Sequence, residues 1–230
     1  MKVLVAALSL AGSVCCSAAE RFTTIRVNVP EEKIELFLGD DSGKPFNRFD
    51  RLASWLKARD KQLRFAMNAG MFHSDFSPVG LLVIDGRQVA PLNLGTGFGN
   101  FFMRPNGVFF VSRSGPRVVE SSEYPSVSQG VRLATQSGPL LVRRGIINAA
   151  FNPSSKSRLI RNGVGVHGKQ AIFVISEQAV TFYELATYFR DELHCPDALY
   201  LDGVVSSLHS TELRRSDFKV DLGPIIGLVR

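Results

Sequence analysis

Cysteine is scarce: there are three in 230 residues, at positions 15, 16 and 195. If the first 19 residues are removed, Cys195 alone remains, and one thiol cannot close an internal disulfide. The fold is therefore expected to hold by its core. Long apolar runs are equally few. Val3 to Val14 is about the length of a leader's apolar region and too short to span a bilayer as a mature helix. Histidine is limited to positions 73, 167, 194 and 209, without metal-ligand spacing, and a single thiol excludes a thiolate cluster. No GxxxxGKS or GxxxxGKT loop and no HExxH pair occurs. Neither sign of charge dominates strongly. The formal balance is +6, with basic residues scattered and paired only briefly, as in Arg143-Arg144 and Arg214-Arg215. No basic helix carries interleaved aromatics, so nucleic acid is not an expected partner, and the charge implies mild attraction for anionic substrates or surfaces.

What is present suffices for one domain. Hydrophobic residues make up 45% of the chain and charged residues 21%, a composition that buries one sizeable core. Lys2, the apolar run and the small residues Ser17-Ala18-Ala19 have the form of a signal peptide over 1–19, with the mature domain at 20–230 exported to the periplasm or secreted. Cys15 and Cys16 raise lipidation as an alternative, although Gly12-Ser13-Val14 is not the usual approach to a lipidated cysteine. No transmembrane segment remains after such cleavage.

Alternation and turn residues predict roughly ten short strands. Thr23 to Val29 and Lys33 to Leu38 read as strands joined by a Pro30-Glu31-Glu32 turn. Leu63 to Met67 runs into Asn68. Pro78 to Ile84 and Arg87 to Ala90 form a hairpin about Asp85-Gly86, a dipeptide whose two positions tolerate positive φ. Strands follow at 108–111, 117–120 and 130–135, then a hairpin of 139–142 with 146–147, and another of 164–166 with 171–175. Helical spacing of Phe46, Phe49, Leu52, Ala53 and Leu56 predicts a helix over 46–59, with Asn47 or Ser42 as possible starts. Thr181 and Glu184 have capping-box spacing for a helix running to about His194, stopped by Pro196. Ala198 to Leu201 is a buried strand ending on Asp202, and 222–229 closes the chain. The expected class is α+β: mixed, mostly antiparallel, hairpin-rich sheets with a few packed helices.

Candidate chemistry gathers in the loops. Asp202 ends an apolar strand, Gly203 permits a sharp turn, and Ser206 and Ser207 offer hydroxyls; a solvated strand end is the plainer reading. Arg161-Asn162 at a turn can grip phosphate or sugar oxygens, or simply close a hairpin. Asn68-Ala69-Gly70 and the loop Gly95 to Phe102, with Phe98, Phe101 and Phe102 for stacking, are similarly open. A formal GxGxxG at Gly163, Gly165 and Gly168 lacks the helix that dinucleotide binding needs, so these read as hairpin glycines. Ser137 is not in a GxSxG elbow, and its ordinary reading is a strand-end hydroxyl. Cys195 beside His194 reads as a buried, idle thiol. No cofactor is expected; a hard cation held by Asp202, Asp75 and backbone oxygens is the remaining metal possibility.

Seven segments occur in one order: Asn68-Ala-Gly-Met-Phe72, Pro78-Val-Gly-Leu-Leu82, Gly99-Asn-Phe-Phe102, Pro105-Asn-Gly-Val-Phe109, Ala134-Thr-Gln-Ser-Gly-Pro139, Arg161-Asn-Gly-Val-Gly165 and Leu201-Asp-Gly-Val-Val-Ser-Ser207. Together they resemble the phosphodiester glycosidase domain family, most nearly its short exported bacterial members. The resemblance spans about residues 63–208. That family often has glycine where this chain has Ala69, Val204 and Val205. The resemblance implies cleavage of a sugar-1-phosphodiester at the anomeric bond. It implies catalytic roles for Asp202, Arg161 and Asn68, and substrate contacts from Gly70, Gln136, Ser137, Gly138, Asn162, Gly203, Ser206 and Ser207. The chemistry is self-consistent. Ordinary glycosidases need a second acid to protonate a poor leaving group, whereas a phosphate monoester leaves without that proton. A non-catalytic glycan or phosphoglycan binder and a metal-dependent phosphodiesterase are the competing expectations.

Overall fold

The computed structural model describes residues 21–218 and 220–230. The expected leader over 1–19, with its cleavage site and both neighbouring cysteines, lies outside the described residues.

Three antiparallel sheets surround one core; strand labels follow chain order. The first sheet has six strands, in the order β1 (Phe22–Asn28), β12 (Gln170–Ser176), β11 (Asn162–His167), β13 (Asp197–Asp202), β9 (Leu140–Arg143) and β10 (Ile146–Ile147). The second runs β15 (Arg215–Ser216), β14 (Leu208–Ser210), β3 (Leu63–Asn68), β16 (Ile225–Val229) and β2 (Ile34–Phe37). The third runs β5 (Arg87–Ala90), β4 (Leu82–Ile84), β8 (Val131–Ser137), β6 (Gly107–Ser112) and β7 (Gly115–Glu120). The α+β expectation holds. The paired strands described are all antiparallel rather than mixed.

Alternating side chains let each sheet bury two faces. The inner faces meet in one cluster, with Phe173 from the first sheet, Phe65 from the second and Phe109 from the third. The Phe173 ring lies 5.1 Å from Phe65 and 5.9 Å from Phe109. Each outer face is covered by a short helix. α1 (Phe49–Lys57) buries Phe49, Leu52 and Leu56 on the second sheet. α2 (Tyr124–Val127) sets Tyr124 on the third. α3 (Phe182–Thr187) continues into a π-helical turn, Tyr188–Glu192, and places Leu185, Ala186 and Phe189 on the first.

The hairpins form where turn chemistry predicts them. Asp85 and Gly86 take φ of 47° and 77° between β4 and β5, and Arg144 and Gly145 do the same between β9 and β10. The glycines of the GxGxxG pattern serve packing. A Cβ on Gly165 would lie 2.7 Å from the Cys195 Sγ and from the Phe189 ring, so the strand must be bare there for the helical layer to approach. Cys195 is buried, and burial pushes its thiol up to about 12.

Several boundaries differ from expectation. β1 and β2 are not a hairpin; they belong to different sheets. α1 starts three residues later than expected, at Phe49, because Asn47 adopts a left-handed φ of 59°, incompatible with a helical turn. Neither Asn47 nor Ser42 caps it; the Ser42 hydroxyl donates to Asp40. β14 and β15 carry too few residues to show a period, and the single turn of α2 has none either.

The capping box of α3 is complete, and it gathers charge. Glu184 Oε2 accepts the Thr181 backbone amide at 2.9 Å, while Arg21 and Arg158 reach the same carboxylate. Burial alone would raise this carboxyl, but the Thr181 amide, Arg21, the Thr181 hydroxyl and Arg158 outweigh it and hold it at about 2, against an ordinary 4.5. A carboxyl depressed in the folded state adds stability above its unfolded value, and that stability is lost as pH falls toward the folded value. Glu184 therefore stabilises the fold at neutral pH and loses this effect between about pH 4.5 and 2. Thermal melts from pH 6 to 3 are expected to show a smaller fall in Tm for Glu184→Gln than for the parent chain. Parallel curves would show that this carboxylate carries none of the acid sensitivity.

Candidate active site

β13 delivers Asp202 to the end of the first sheet, and its partner strand sets the geometry. Asn162 pairs with Asp202 while Gly163 pairs with Tyr200, so Leu201 is an extra residue, a bulge. The bulge is held from both sides. The Leu201 carbonyl accepts the Ser137 hydroxyl at 3.0 Å, and the Asp202 amide donates to Asn162 Oδ1 at 2.9 Å.

Asn162 is fully buried and so is Asn68, at the end of β3 in the second sheet. Their amides bond reciprocally. Asn162 Nδ2 donates to Asn68 Oδ1 at 2.8 Å, and Asn68 Nδ2 donates to Asn162 Oδ1 at 3.3 Å. Asn68 Oδ1 also accepts the Ser207 amide at 3.1 Å. Buried amides without partners are costly, so this pair fixes the strand ends and the turn after Asp202 together.

That turn is built around the carboxylate. Asp202 Oδ1 accepts the backbone amides of Gly203 and Val204. The Asp202 side chain is half-buried, and burial raises its affinity for a proton, against the opposing effect of the turn amides. Gly203 has no room for a side chain: a Cβ would sit 2.2 Å from the Tyr200 hydroxyl. Ser206 and Ser207 are buried and bond inward. The Ser206 hydroxyl lies 2.8 Å from the Asp202 carbonyl, and Ser207 Oγ donates to the Val205 carbonyl at 2.9 Å.

Arg161 corrects the expectation of a direct phosphate grip beside Asn162. Consecutive residues entering a strand face opposite sides of the sheet, so the two cannot close on one group. The Arg161 guanidinium is buried against the helical layer, 3.9 Å over the Phe182 ring. Its Nε donates to the Val180 carbonyl at 2.9 Å, Nη2 reaches the Ser157 carbonyl at 3.2 Å, and Nη1 donates to the Tyr200 hydroxyl at 3.1 Å. Tyr200, fully buried, thus stands between the guanidinium and Gly203. Burial raises the Tyr200 hydroxyl above its ordinary range, Arg161 lowers it, and the Asp202 charge raises it.

Gln136, Ser137 and Gly138 are likewise internal. Gln136 Oε1 accepts the amides of Leu81 and Asn93, and its Nε2 donates to the Asn93 carbonyl at 2.7 Å and to Ser121 Oγ at 3.0 Å. Its amide is spent anchoring the stem of the loop that leads to Phe98. Gly138 is bare because a Cβ would lie 2.6 Å from the Phe101 carbonyl. Gly70 takes a φ of +133° against Thr135. The structure therefore brings Asp202, Asn68, Asn162, Gly203, Ser206 and Ser207 together, with Ser137 holding the bulge at Leu201, while Gln136 and Gly138 pack against the loop segments around Asn93 and Phe101. Tyr200 was missed as an individual residue. Tyr200 could have been found as the residue two before Asp202.

The departures from glycine are accommodated. Ala69 is buried and its carbonyl accepts the Thr135 hydroxyl. Val205 packs half-buried on the second sheet's outer cluster, whereas Val204 is 80% exposed. The Asp75 carboxylate, proposed for a cation, accepts the Ser77 amide and hydroxyl of its own loop. Among the described residues no three histidines, cysteines or carboxylates gather as a metal cluster.

Known proteins are similar to this chain in sequence and in fold. The uncharacterized protein YigE of Escherichia coli K12 is 34% identical over 199 residues, covering 84% of this chain and 77% of that protein. The fold is similar to the zebrafish N-acetylglucosamine-1-phosphodiester alpha-N-acetylglucosaminidase catalytic domain auto-inhibited by its pro-peptide, with a TM-score of 0.56 at 14% identity, covering 90% of this chain and 88% of that one. It is also similar to a hypothetical protein from Synechocystis, with a TM-score of 0.60 at 14% identity, covering 90% and 59%. The family model described as phosphodiester glycosidase matches residues 61–219, from the start of β3 to beyond the serine turn and its neighbouring strands, and the chain belongs to that family.

Proposed function

We propose that the chain hydrolyses a sugar-1-phosphodiester at the anomeric C–O bond, releasing free sugar and a phosphomonoester. The observation that carries this reading is the half-buried Asp202 carboxylate, raised by burial and locked at a strand end by turn amides and the buried asparagine pair. A carboxylate with raised proton affinity suits a general base. In the proposed step, water's oxygen bonds to the anomeric carbon as the bond from that carbon to the phosphate oxygen breaks. The bonding pair leaves with the phosphate, and water's proton passes to Asp202. One carboxylate suffices because the phosphate departs as an anion. Arg161 acts through Tyr200 as a positioning residue, and its desolvated charge favours negative charge developing nearby. Asn68 and Asn162 keep the turn in register rather than touching substrate. The zebrafish domain's name makes N-acetylglucosamine the first sugar to test.

Export is part of the proposal, supported by the leader-like composition of residues 1–19. Mass spectrometry of the secreted or periplasmic protein is expected to find a mature N-terminus at Glu20; an acyl mass on Cys15 or Cys16 would replace that reading with a lipid anchor.

Hydrolysis of a panel of sugar-1-phosphodiesters in water enriched in heavy oxygen is expected to place the label in the free sugar. Label in phosphate would mean P–O cleavage and a phosphodiesterase. Absence of product with saturable binding would mean a binding module. Asp202→Asn is expected to keep the fold and lose about 100-fold or more in kcat, the usual scale for removing a general base. Because burial raises Asp202, the acid limb of the pH–rate profile is expected above the ordinary carboxyl value of 3.8. Near-parental turnover by the folded variant would remove Asp202 from the mechanism.

A further inference from the structure

We infer that Arg215 is a positioning residue for Asp202, bracing the exit of the serine turn against the first sheet. The inference rests on the reading of Asp202 as general base and adds a second tie between the two sheets that hold it.

The turn that begins at Asp202 runs out at Leu208, the first residue of β14. Its entry is held by Asn162, and its Ser207 amide by Asn68. The next amide along, that of Leu208, donates to Asp217 Oδ2 at 3.0 Å, and the Asp217 amide donates back to the Leu208 carbonyl at 2.9 Å. The Asp217 carboxylate is gripped in turn by Arg215 of β15. Nε donates to Oδ1 and Nη2 to Oδ2, both at 2.9 Å. Arginine alone among side chains offers this planar two-pronged match to a carboxylate.

The remaining nitrogen crosses to the other sheet. Arg215 Nη1 donates to Glu177, the residue that follows β12. Glu177 is itself fixed: its amide donates to the Arg21 carbonyl at 2.9 Å, and the Thr23 hydroxyl donates to the same carboxylate oxygen. β12 lies beside β11, with Ile175 opposite Asn162. One guanidinium thus links the exit of the turn, in the second sheet, to the neighbour of the strand that holds its entry, in the first. Exposed ion pairs contribute little, but the Arg215 and Asp217 side chains keep only 24% and 15% of their exposure, and three bonds converge on one rigid group. Arg190 is the contrast. It makes the same two-pronged pair, with Asp191 beside it, and bonds no other side chain among the described residues. Arg215 reaches Asp202 only through Asp217 and the turn backbone. A base must hold water close to its line of attack, so loosening the turn lowers turnover more than binding.

The test is a double-mutant cycle of Arg215→Gln with Asp202→Asn, on the best-hydrolysed member of the sugar-1-phosphodiester panel. In the parent background Arg215→Gln is expected to lower kcat about tenfold, a modest misplacement, with KM changed by less than about twofold. In the Asp202→Asn background the same change is expected to cost less than about twofold, because no carboxylate is left to misplace. A purely structural arginine would subtract the same factor from both, and that result overturns the inference, as does parental kcat in Arg215→Gln. Arg190→Gln is expected to leave kcat unchanged; a tenfold loss there would show that Arg215 is not special and would also overturn it. Should Arg215→Gln fail to fold, Glu177→Gln cuts only the cross-sheet limb and is expected to show the same dependence on background, and parental kcat in that variant overturns the inference. Each of these failures leaves the phosphodiester reading standing. Hydrolysis of no panel member by the parent chain, or near-parental turnover by Asp202→Asn, overturns the reading and the inference together.

Discussion

The reciprocal pair of amides, Asn68 with Asn162, is the constraint on which the site depends. Each belongs to a different sheet, each is fully buried, and together they also take up the backbone amides of Asp202 and Ser207. A buried amide must satisfy its donors and acceptors or incur a large desolvation penalty. The two asparagines satisfy each other only when the ends of β3 and β11 are in register. The position of Asp202 thus follows from how two sheets close, more than from its own strand.

Around that pair the site separates into two sides. One side contains neutral amides and hydroxyls bonded inward. The other contains the Arg161 guanidinium, buried over Phe182 and linked to Tyr200. Between them lies a carboxylate whose charge burial disfavours and whose turn amides favour. Such opposed effects are how a carboxyl is tuned toward proton transfer. The bulge at Leu201 makes the arrangement possible, since it frees the Asp202 amide from the ladder to bond a side chain instead.

The outer shell of the fold repeats one solution three times. Each sheet meets the others on its inner face at the Phe65, Phe109 and Phe173 contact, and each hides its outer face beneath a helix of one to three turns. This leaves the loops at the strand ends free to carry Phe98 and Val204 into solvent, held at their stems by Gln136, Arg104 and the Asp202 turn.

Much of this was legible in the residue order. Period-two alternation, Asp85-Gly86 and the Thr181–Glu184 box each act over a few residues, so they predicted strands, a hairpin and a helix start that the structure contains. The order of the asparagine, glycine and serine segments likewise pointed to the family. The sequence alone also determined that no disulfide within a chain lacking its first 19 residues could carry the fold. Tertiary structure decided the rest. It assigned β1 and β2 to separate sheets, turned Arg161 away from Asn162, and spent Gln136 and Ser137 on backbone groups far off in sequence. The physical reason is that a side chain's role depends on which face of the sheet it occupies and which buried partner lies opposite. Those partners, 94 residues apart for the asparagine pair, meet only when the sheets close.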